Sequence, residues 1–371
     1  MTRRARKAIK LGLQGGGALG AYTWGVLDRI LEDDRLDIAA VSGASAGAMN
    51  AVVMVEGLAE GGRDGARAAL RRFWTGVADA GRASPFRKTP LDAMMGQWAP
   101  AWATSAFLNP FALWADLATR VSSPYEFNPL NLNPLKELLG ELVDFERVRA
   151  CDQIKLFVSA TNVETGRVRV FTNSEITADH VMASACLPLL FQAVEIDGEP
   201  YWDGGYMGNP ALFPLFEEQA SDDIVIVQIN PIERPGAPRR SRDIIARINE
   251  ITFNAALLRE LRAIEFVARL LDEGRLDAVH YRKVLVHTIS DEPALLALDV
   301  QSDLNTDVAF LERLFGIGRV ACDRWLDAHF DDLGARSTVD LRRLFQGEVG
   351  PLAAAPKPAR ARRKPVAPQA D

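Results

Sequence analysis

A serine at residue 45 stands between two glycines in the sequence Gly43-Ala-Ser-Ala-Gly47. A serine attacks an ester only when its hydroxyl is exposed beside a base, and a sharp turn between a strand and a helix presents it in this way. The apolar run at 37–41 precedes the motif, and a buried helical pattern follows from Ala46. Such a turn leaves room only for small residues two positions before and after the serine, and Gly43 and Gly47 meet this requirement. We therefore predict a nucleophile at Ser45, against the alternative of a serine that only caps a helix.

A glycine-rich loop precedes this serine and follows a strand pattern at 8–13; its glycines are Gly15, Gly16, Gly17 and Gly20. The spacing also matches a dinucleotide-binding loop, which needs an acidic residue at the end of the next strand. Asp37 instead lies at the start of that strand. Backbone amides at a helix N-terminus also stabilise an oxyanion. The loop favours an oxyanion hole, with a nucleotide-binding loop and a structural turn as the alternatives.

A serine nucleophile also needs a general base. The four histidines are poor candidates because their positions in helical or strand patterns, or beside a helix end, suit structural roles; they are His180, His280, His287 and His329. Asp203 is a better candidate, because a predicted hairpin presents it and the following Gly204 and Gly205 permit close approach of the backbone. The alternative is a simple Asp-Gly-Gly turn.

The elements that must position these residues begin with alternating strand and helix patterns, which predict an α/β fold with a mostly parallel sheet. After the strands at 8–13 and 37–41, strands are predicted at 155–162, 167–172, 193–196, 200–202, 223–229 and 283–289. Helices are predicted at 18–31, from 46, and at 63–77, 135–142, 178–187, 242–273 and 307–330. Ser241 is the predicted N-cap of the long helix at 242–273.

Residues 93–115 form an uncharged stretch rich in tryptophan, methionine and phenylalanine. Pro100 and Pro110 interrupt it, which argues against a transmembrane span. Two interpretations stay open for this stretch. It is either an ordinary second hydrophobic layer or a segment that contacts an acyl chain or a lipid interface.

The composition is that of a globular protein, with 371 residues, 48% hydrophobic and 25% charged, and a net charge of -6. Basic residues cluster at both ends of the chain, where they either bind an anionic surface or serve only as solvated arms. The distant cysteines Cys151, Cys186 and Cys322 predict neither a disulfide framework nor a zinc site. No signal-peptide pattern is present, so we expect a cytoplasmic protein, peripheral to the membrane at most.

Taken in order, the glycine loop, the serine turn and the Asp-Gly-Gly sequence resemble the signature of the patatin-like phospholipases. The stretches at 159–162 and 183–188 fit the same family. The resemblance covers about residues 8–230, and the segment at 240–345 more weakly resembles the C-terminal extension of a bacterial subset. The chain departs from the family at Leu19, where members commonly carry a basic residue.

This resemblance implies a three-layer α/β/α fold with a mostly parallel central sheet. It also implies a Ser-Asp dyad without histidine, in which Ser45 forms an acyl-enzyme and Asp203 is the general base. The implied oxyanion-hole residues are Gly15, Gly16, Gly17 and Ala46. The supporting residues are Gly20, Gly43, Gly47, Gly204 and Gly205. No cofactor and no metal are expected.

We expect a basic arm at 1–7, a catalytic domain at 8–230, a linker at 231–240, a helical extension packed on that domain at 241–350, and a disordered basic tail at 351–371. The boundaries follow the changes in composition and pattern along the chain.

The expected function is hydrolysis of lipid esters, as a phospholipase A or lysophospholipase. Expected partners are a lipid ester, most simply a phospholipid, and transiently a membrane surface, but no nucleic acid. The long helix at 242–273 needs a partner surface and is a candidate for contact between subunits. Two other classes stay open: a nucleotide-dependent oxidoreductase and a non-catalytic lipid-binding protein on the same fold.

Overall fold

The structure is a computed structural model that describes residues 6–83, 123–298 and 305–346. The uncharged stretch at 93–115 and the basic tail at 351–371 lie outside the described residues. The expectations for both therefore stay predictions.

One eight-stranded sheet forms the centre of the protein. Its strands are β1 Lys7–Leu13, β2 Leu36–Gly43, β3 Lys155–Asn162, β4 Val168–Thr172, β5 Val194–Ile196, β6 Glu199–Asp203, β7 Asp223–Val227 and β8 Leu285–Ile289. The order across the sheet is β5-β6-β3-β2-β1-β7-β8, and β4 pairs with β3 beside this path. All pairs among β3, β2, β1, β7 and β8 are parallel, whereas β4, β5 and β6 are joined by antiparallel pairs.

Helices cover both faces of this sheet. They are α1 Gly20–Glu32, α2 Ala46–Ala83, α3 Pro124–Phe127, α4 Pro134–Leu142, α5 Phe145–Ala150, α6 Ala178–Ser184, α7 Phe213–Phe216, α8 Ser241–Asp272, α9 Glu292–Leu296, α10 Val308–His329 and α11 Leu341–Gln346. Non-helical dihedrals at Gly61 and Gly62 kink α2 and divide it into two helical segments. Within the described residues, no helix is both long and apolar enough to span a membrane.

The strand β7 shows how the sheet separates two cores. Every residue of this strand is buried, as the near-continuous apolar sequence of an interior parallel strand requires. Val225 and Val227 pack into the larger core with α1, α2 and α10, whereas Ile224 and Ile226 pack into the smaller core with α8. Since successive side chains of a strand point to opposite faces, β7 contributes to both cores. The predicted three-layer α/β/α fold is confirmed.

Three local expectations need correction. Lys7, assigned to the basic arm, is the first residue of β1, and its ammonium group donates to the carbonyls of Phe330 and Leu333. The helix predicted at 178–187 ends at Ser184, whose carbonyl accepts a hydrogen bond from the distant Ser45 amide, since Pro188 has no amide hydrogen to donate to it. Ser241 is the first residue of α8, and the N-cap position belongs to Arg240 with extended dihedrals.

Candidate active site

Ser45 lies in the turn that joins β2 to α2. Its φ of 52° is in the left-handed region, which costs a residue with a side chain about 1–2 kcal/mol. The Ser45 amide donates to Ser184 at two acceptors, the side-chain Oγ at 2.9 Å and the carbonyl oxygen at 3.1 Å. A Cβ on Gly43 would lie 2.6 Å from the carbonyl carbon of Gly47, and one on Gly47 would collide with the Leu13 carbonyl. The turn therefore excludes larger residues at both glycines.

The glycine loop follows β1 and lies against this serine. A Cβ on Gly15 would lie 2.5 Å from the Cβ of Ser45, so only glycine lets the loop approach this closely. Gly17 has a φ of 56°, which glycine adopts without steric cost. A Cβ on Gly20 would lie 2.8 Å from the Cβ of Ala46, so the start of α1 also packs tightly on the start of α2.

The backbone amides of this loop divide into two groups. The Gly15 amide, predicted to belong to the oxyanion hole, donates to Asn209 Oδ1 at 2.6 Å. That amide is therefore occupied in the structure, and the oxyanion-hole role of Gly15 stays a prediction. The amides of Gly16, Gly17 and Ala46 have no hydrogen-bond acceptor within the part of the chain that the structure describes.

A buried network of side-chain amides, not anticipated from the sequence, holds the loop in place. Asn230 Nδ2 donates to the Gly15 carbonyl at 2.7 Å, so Asn209 and Asn230 together bind both ends of this residue. Gln14 Oε1 accepts the backbone amide of Asn230 at 3.0 Å, and Gln14 Nε2 donates to Asn254 Oδ1 at 3.1 Å. The four amide side chains are all buried, and such satisfied networks rigidify what they contact.

The network leaves one weak signal in the sequence. Asn209 and Asn230 each precede a proline, in the segments that follow β6 and β7. Asparagines just after strand ends often hydrogen-bond to the backbone, but the sequence does not show which backbone groups these two contact.

Asp203 is the last residue of β6 and is fully buried. The β5–β6 hairpin presents it through a turn at Asp197 and Gly198, which both have positive φ. Asp203 Oδ1 accepts the Gly205 amide at 2.7 Å, whereas Oδ2 has no hydrogen-bond partner at 3.5 Å or less among the described residues. A Cβ on Gly204 would collide with the Ser159 carbonyl, so β6 packs directly on β3 at this point.

Burial determines the acidity of this carboxyl group. Loss of solvent raises the pKa of Asp203 to about 7, although the Gly205 amide and the neighbouring Ser45 side chain partly oppose the shift. The Ser45 hydroxyl is thus close enough to favour the ionised carboxylate without forming a short hydrogen bond to Oδ2. A carboxyl group with a pKa near neutrality is suited to accept and return a proton.

The four histidines contact other partners. His180 Nδ1 is 2.7 Å from Thr177 Oγ1, His280 pairs with Asp277, and His329 Nδ1 is 3.0 Å from Asp332. His287 is fully buried in β8, with Nε2 at 2.9 Å from Asp223. Each therefore has a polar partner other than Ser45.

Two further expectations can be compared with the structure. Leu19 is partly buried against the larger core. Its side chain therefore contributes to packing, where a basic residue would carry a charge. Among the described residues, no cluster of histidine, cysteine and carboxylate side chains could hold a metal ion.

The family described as patatin-like phospholipase matches residues 11–216, more than half of the chain. The chain belongs to the patatin-like phospholipase family, and this membership supports lipid hydrolase activity. No curated protein is detectably similar to the chain in sequence.

Two solved structures give weak matches. VipD from Legionella pneumophila has 14% sequence identity and a TM-score of 0.38, with 87% of this chain and 67% of that chain covered. Full-length ExoU of Pseudomonas aeruginosa, solved in complex with full-length SpcU, has 12% identity and a TM-score of 0.30. That alignment covers 86% of this chain and 53% of ExoU, so the chain spans about half of the length of ExoU.

Proposed function

We propose that this chain hydrolyses lipid esters, as a phospholipase A or lysophospholipase, through a dyad of Ser45 and Asp203. The observation that carries the proposal is the buried Asp203 carboxyl group beside the side chain of a serine in a left-handed turn, with one oxygen that has no partner among the described residues. Membership in the patatin-like phospholipase family supports a lipid as the substrate.

In the first half of the reaction, Ser45 Oγ attacks the ester carbonyl carbon while Asp203 Oδ2 accepts the hydroxyl proton. The negative charge that develops on the carbonyl oxygen is stabilised by the amides of Gly16, Gly17 and Ala46, which have no other acceptor among the described residues. The intermediate then collapses, the alcohol leaves with the proton from Asp203, and the acyl group stays on Ser45.

In the second half, Asp203 accepts a proton from a water molecule that attacks the acyl-enzyme. The carboxylic acid is released, Ser45 Oγ recovers its proton, and the same amides stabilise the second oxyanion. Asp203 can act directly because burial raises its pKa to about 7, so it is basic enough to bind the proton and acidic enough to return it.

Asn209 and Asn230 are positioning residues in this proposal. They hold the amide and the carbonyl of Gly15, which fixes the position of the next two amides of the loop before a substrate binds. A donor that is already oriented costs nothing to orient in the transition state, which is why such a scaffold contributes to rate.

We also propose that residues 8–230 form the catalytic unit and that 241–350 are an extension packed on it. The contact between Asn254 of α8 and Gln14 supports a dependence of the unit on this extension. The strand β8 extends the central sheet beside β7. We therefore expect a chain truncated after residue 240 to lose both stability and activity.

Labelling with a fluorophosphonate, which reacts with activated serines, tests the proposal. The wild-type chain and a control variant at a surface serine, Ser174→Ala, should be labelled and should hydrolyse phospholipids, whereas Ser45→Ala should do neither. Labelling of the Ser45→Ala chain would refute the assignment of the nucleophile. Labelling of Ser45 without turnover of diacyl, lysophospholipid or short-chain esters would instead favour a lipid-binding protein on this fold.

A further inference from the structure

Four isoleucines are exposed on the first turns of α8. The exposed fractions are 40% for Ile244, 49% for Ile245, 56% for Ile248 and 54% for Ile251. With 3.6 residues per turn, Ile244, Ile248 and Ile251 lie within about 60° of one another on the helix surface, and Ile245 flanks them. We call these four residues the isoleucine stripe.

The opposite face of the same helix is the one that packs on the protein. Phe253, Leu257 and Leu261 are buried there, and the latter two belong to the smaller core. By helical spacing these side chains point roughly 100–180° away from Ile244. The start of α8 thus has two apolar faces, and only one is covered by the described residues. An ordinary surface helix has one such face.

Basic side chains surround the isoleucine stripe. Arg239 and Arg240 precede the helix, Arg259 and Arg262 follow the stripe on α8, and all four are exposed. Residues 231–262 include seven arginines and four carboxylates, whereas the whole chain has a net charge of -6. Of those carboxylates, Glu250 is already paired with arginines of the same segment. The stripe therefore lies in a locally positive region.

This charge distinguishes between the possible partners of the stripe. A symmetric contact with a second copy presents the same patch on both subunits, so it brings arginines close to arginines. An anionic lipid surface instead neutralises them, at about 1 kcal/mol per basic residue, while its interface receives the isoleucines. Apolar and basic side chains on one exposed helix are the combination that binds such a surface.

The stripe is also connected to the candidate active site. On the packed side of α8, the ring centroid of Phe253 lies 5.3 Å from that of Tyr206. Tyr206 is three residues after Asp203 in the chain. Asn254, which follows Phe253 on α8, contacts Gln14 beside the glycine loop. A surface bound to the stripe is therefore separated from the site by about the diameter of one helix, roughly 10 Å.

We propose that the isoleucine stripe and its flanking arginines bind the surface of an anionic lipid membrane. The use of this binding, which is to bring the candidate active site to its lipid substrate, rests on the lipid hydrolase function proposed above. Binding itself does not depend on catalysis, so the two proposals fail separately.

The test uses the full chain with Ser45→Ala, so that binding is measured without hydrolysis. Cosedimentation with phosphatidylcholine vesicles, with and without phosphatidylglycerol, should show binding that requires phosphatidylglycerol and weakens with salt. The double change Ile248→Ser and Ile251→Ser should weaken binding roughly tenfold or more, because it removes half-exposed apolar side chains from the interface. Arg239→Gln and Arg240→Gln should each weaken it roughly fivefold.

The matched control removes two exposed valines elsewhere, with Val279→Ser and Val320→Ser, and should bind like the parent chain. In the active background, the isoleucine variant should still hydrolyse a soluble short-chain ester while losing activity on vesicles. Equal binding by the isoleucine variant and its parent would overturn the proposal. So would a dimer, detected by sedimentation, that this variant alone dissociates. If the wild-type chain did not hydrolyse the soluble short-chain ester, the catalytic proposal would be refuted instead.

Discussion

Two buried aspartates on the same sheet differ in their surroundings. Asp223, at the start of β7, accepts hydrogen bonds from His287 at 2.9 Å, the Gly334 amide at 2.9 Å and Ser221 at 3.3 Å. Asp203, at the end of β6, accepts one at 2.7 Å from the Gly205 amide, and its other oxygen has no partner in the described parts of the chain.

The pKa shifts follow from this difference. Burial alone would raise the pKa of Asp223, but the hydrogen bonds from His287, Gly334 and Ser221 outweigh it and lower the pKa. Burial prevails at Asp203 and raises its pKa to about 7. A satisfied buried carboxylate stabilises the fold, whereas one left partly unsatisfied keeps its capacity to bind a proton. The contrast supports the proposal that Asp203 is the general base, whereas the hydrogen bonds of Asp223 are those of a structural residue.

The largest expected effect is that of Asp203→Asn. Without the general base, kcat should fall about 10²–10⁴-fold. The same change should stabilise the fold at pH 8, because it removes a carboxylate that is ionised and buried. The cost of that charge accumulates as the pH rises from the ordinary pKa of 3.8 to about 7, so the gain should be smaller at pH 5. Steady-state rates and thermal unfolding at both pH values check this, and retention of activity would remove Asp203 from the mechanism.

The pH profile of the wild-type chain is the next largest effect. Activity requires ionised Asp203, so kcat/KM should rise with pH, with an apparent pKa of about 7, and level off above it. At pH 5 the rate should be about 100-fold below the plateau, because only about 1% of the Asp203 carboxyl group is ionised there. A soluble short-chain ester avoids changes in lipid packing. A profile that is flat between pH 5 and 8 would contradict the raised pKa.

A smaller effect is expected for Asn209→Ala, which removes the acceptor for the Gly15 amide. We expect kcat to fall about 10–100-fold with little change in KM, because a misplaced loop weakens transition-state binding selectively. Asn254→Ala is the matched comparison, since Asn254 contacts Gln14 and not the glycine loop, and it should cost less. A loss confined to KM, or one that merely follows the melting temperature, would count against a positioning role.

The smallest effect on activity is expected for Asp223→Asn, the same substitution at the other aspartate. It should leave kcat within about twofold of wild type but destabilise the fold by about 1–3 kcal/mol, because buried hydrogen bonds to His287 and Gly334 are weakened. Since the pKa of Asp223 is lowered, this loss should be full at neutral pH and fade as the pH falls through the carboxyl range. His287→Gln should likewise keep most activity, and a histidine variant as inactive as Ser45→Ala would refute the dyad.

Much of the fold could be predicted because its elements depend on neighbours in the chain. The strand predicted at 155–162 has the same bounds in β3, and the hairpin predicted around residues 197 and 198 forms between β5 and β6. Errors occur at boundaries, as in the helix that ends at Ser184, because the Ser184 carbonyl accepts the distant Ser45 amide, a tertiary contact that no local pattern records. The roles of the dyad residues stay predictions, which the Ser45→Ala and Asp203→Asn variants test.

By itself, the sequence determined the order of strands and helices, the glycine and serine turns, and the family, because periodicity and close spacing record local constraints. The tertiary structure alone decided which groups of the loop are hydrogen-bonded, since Asn209 reaches Gly15 across 194 residues and Asn230 across 215. It also decided that Asp203 is buried and weakly acidic, and that the isoleucine stripe of α8 is exposed. Burial and hydrogen-bond partners depend on residues far apart in the chain, and no local pattern specifies them.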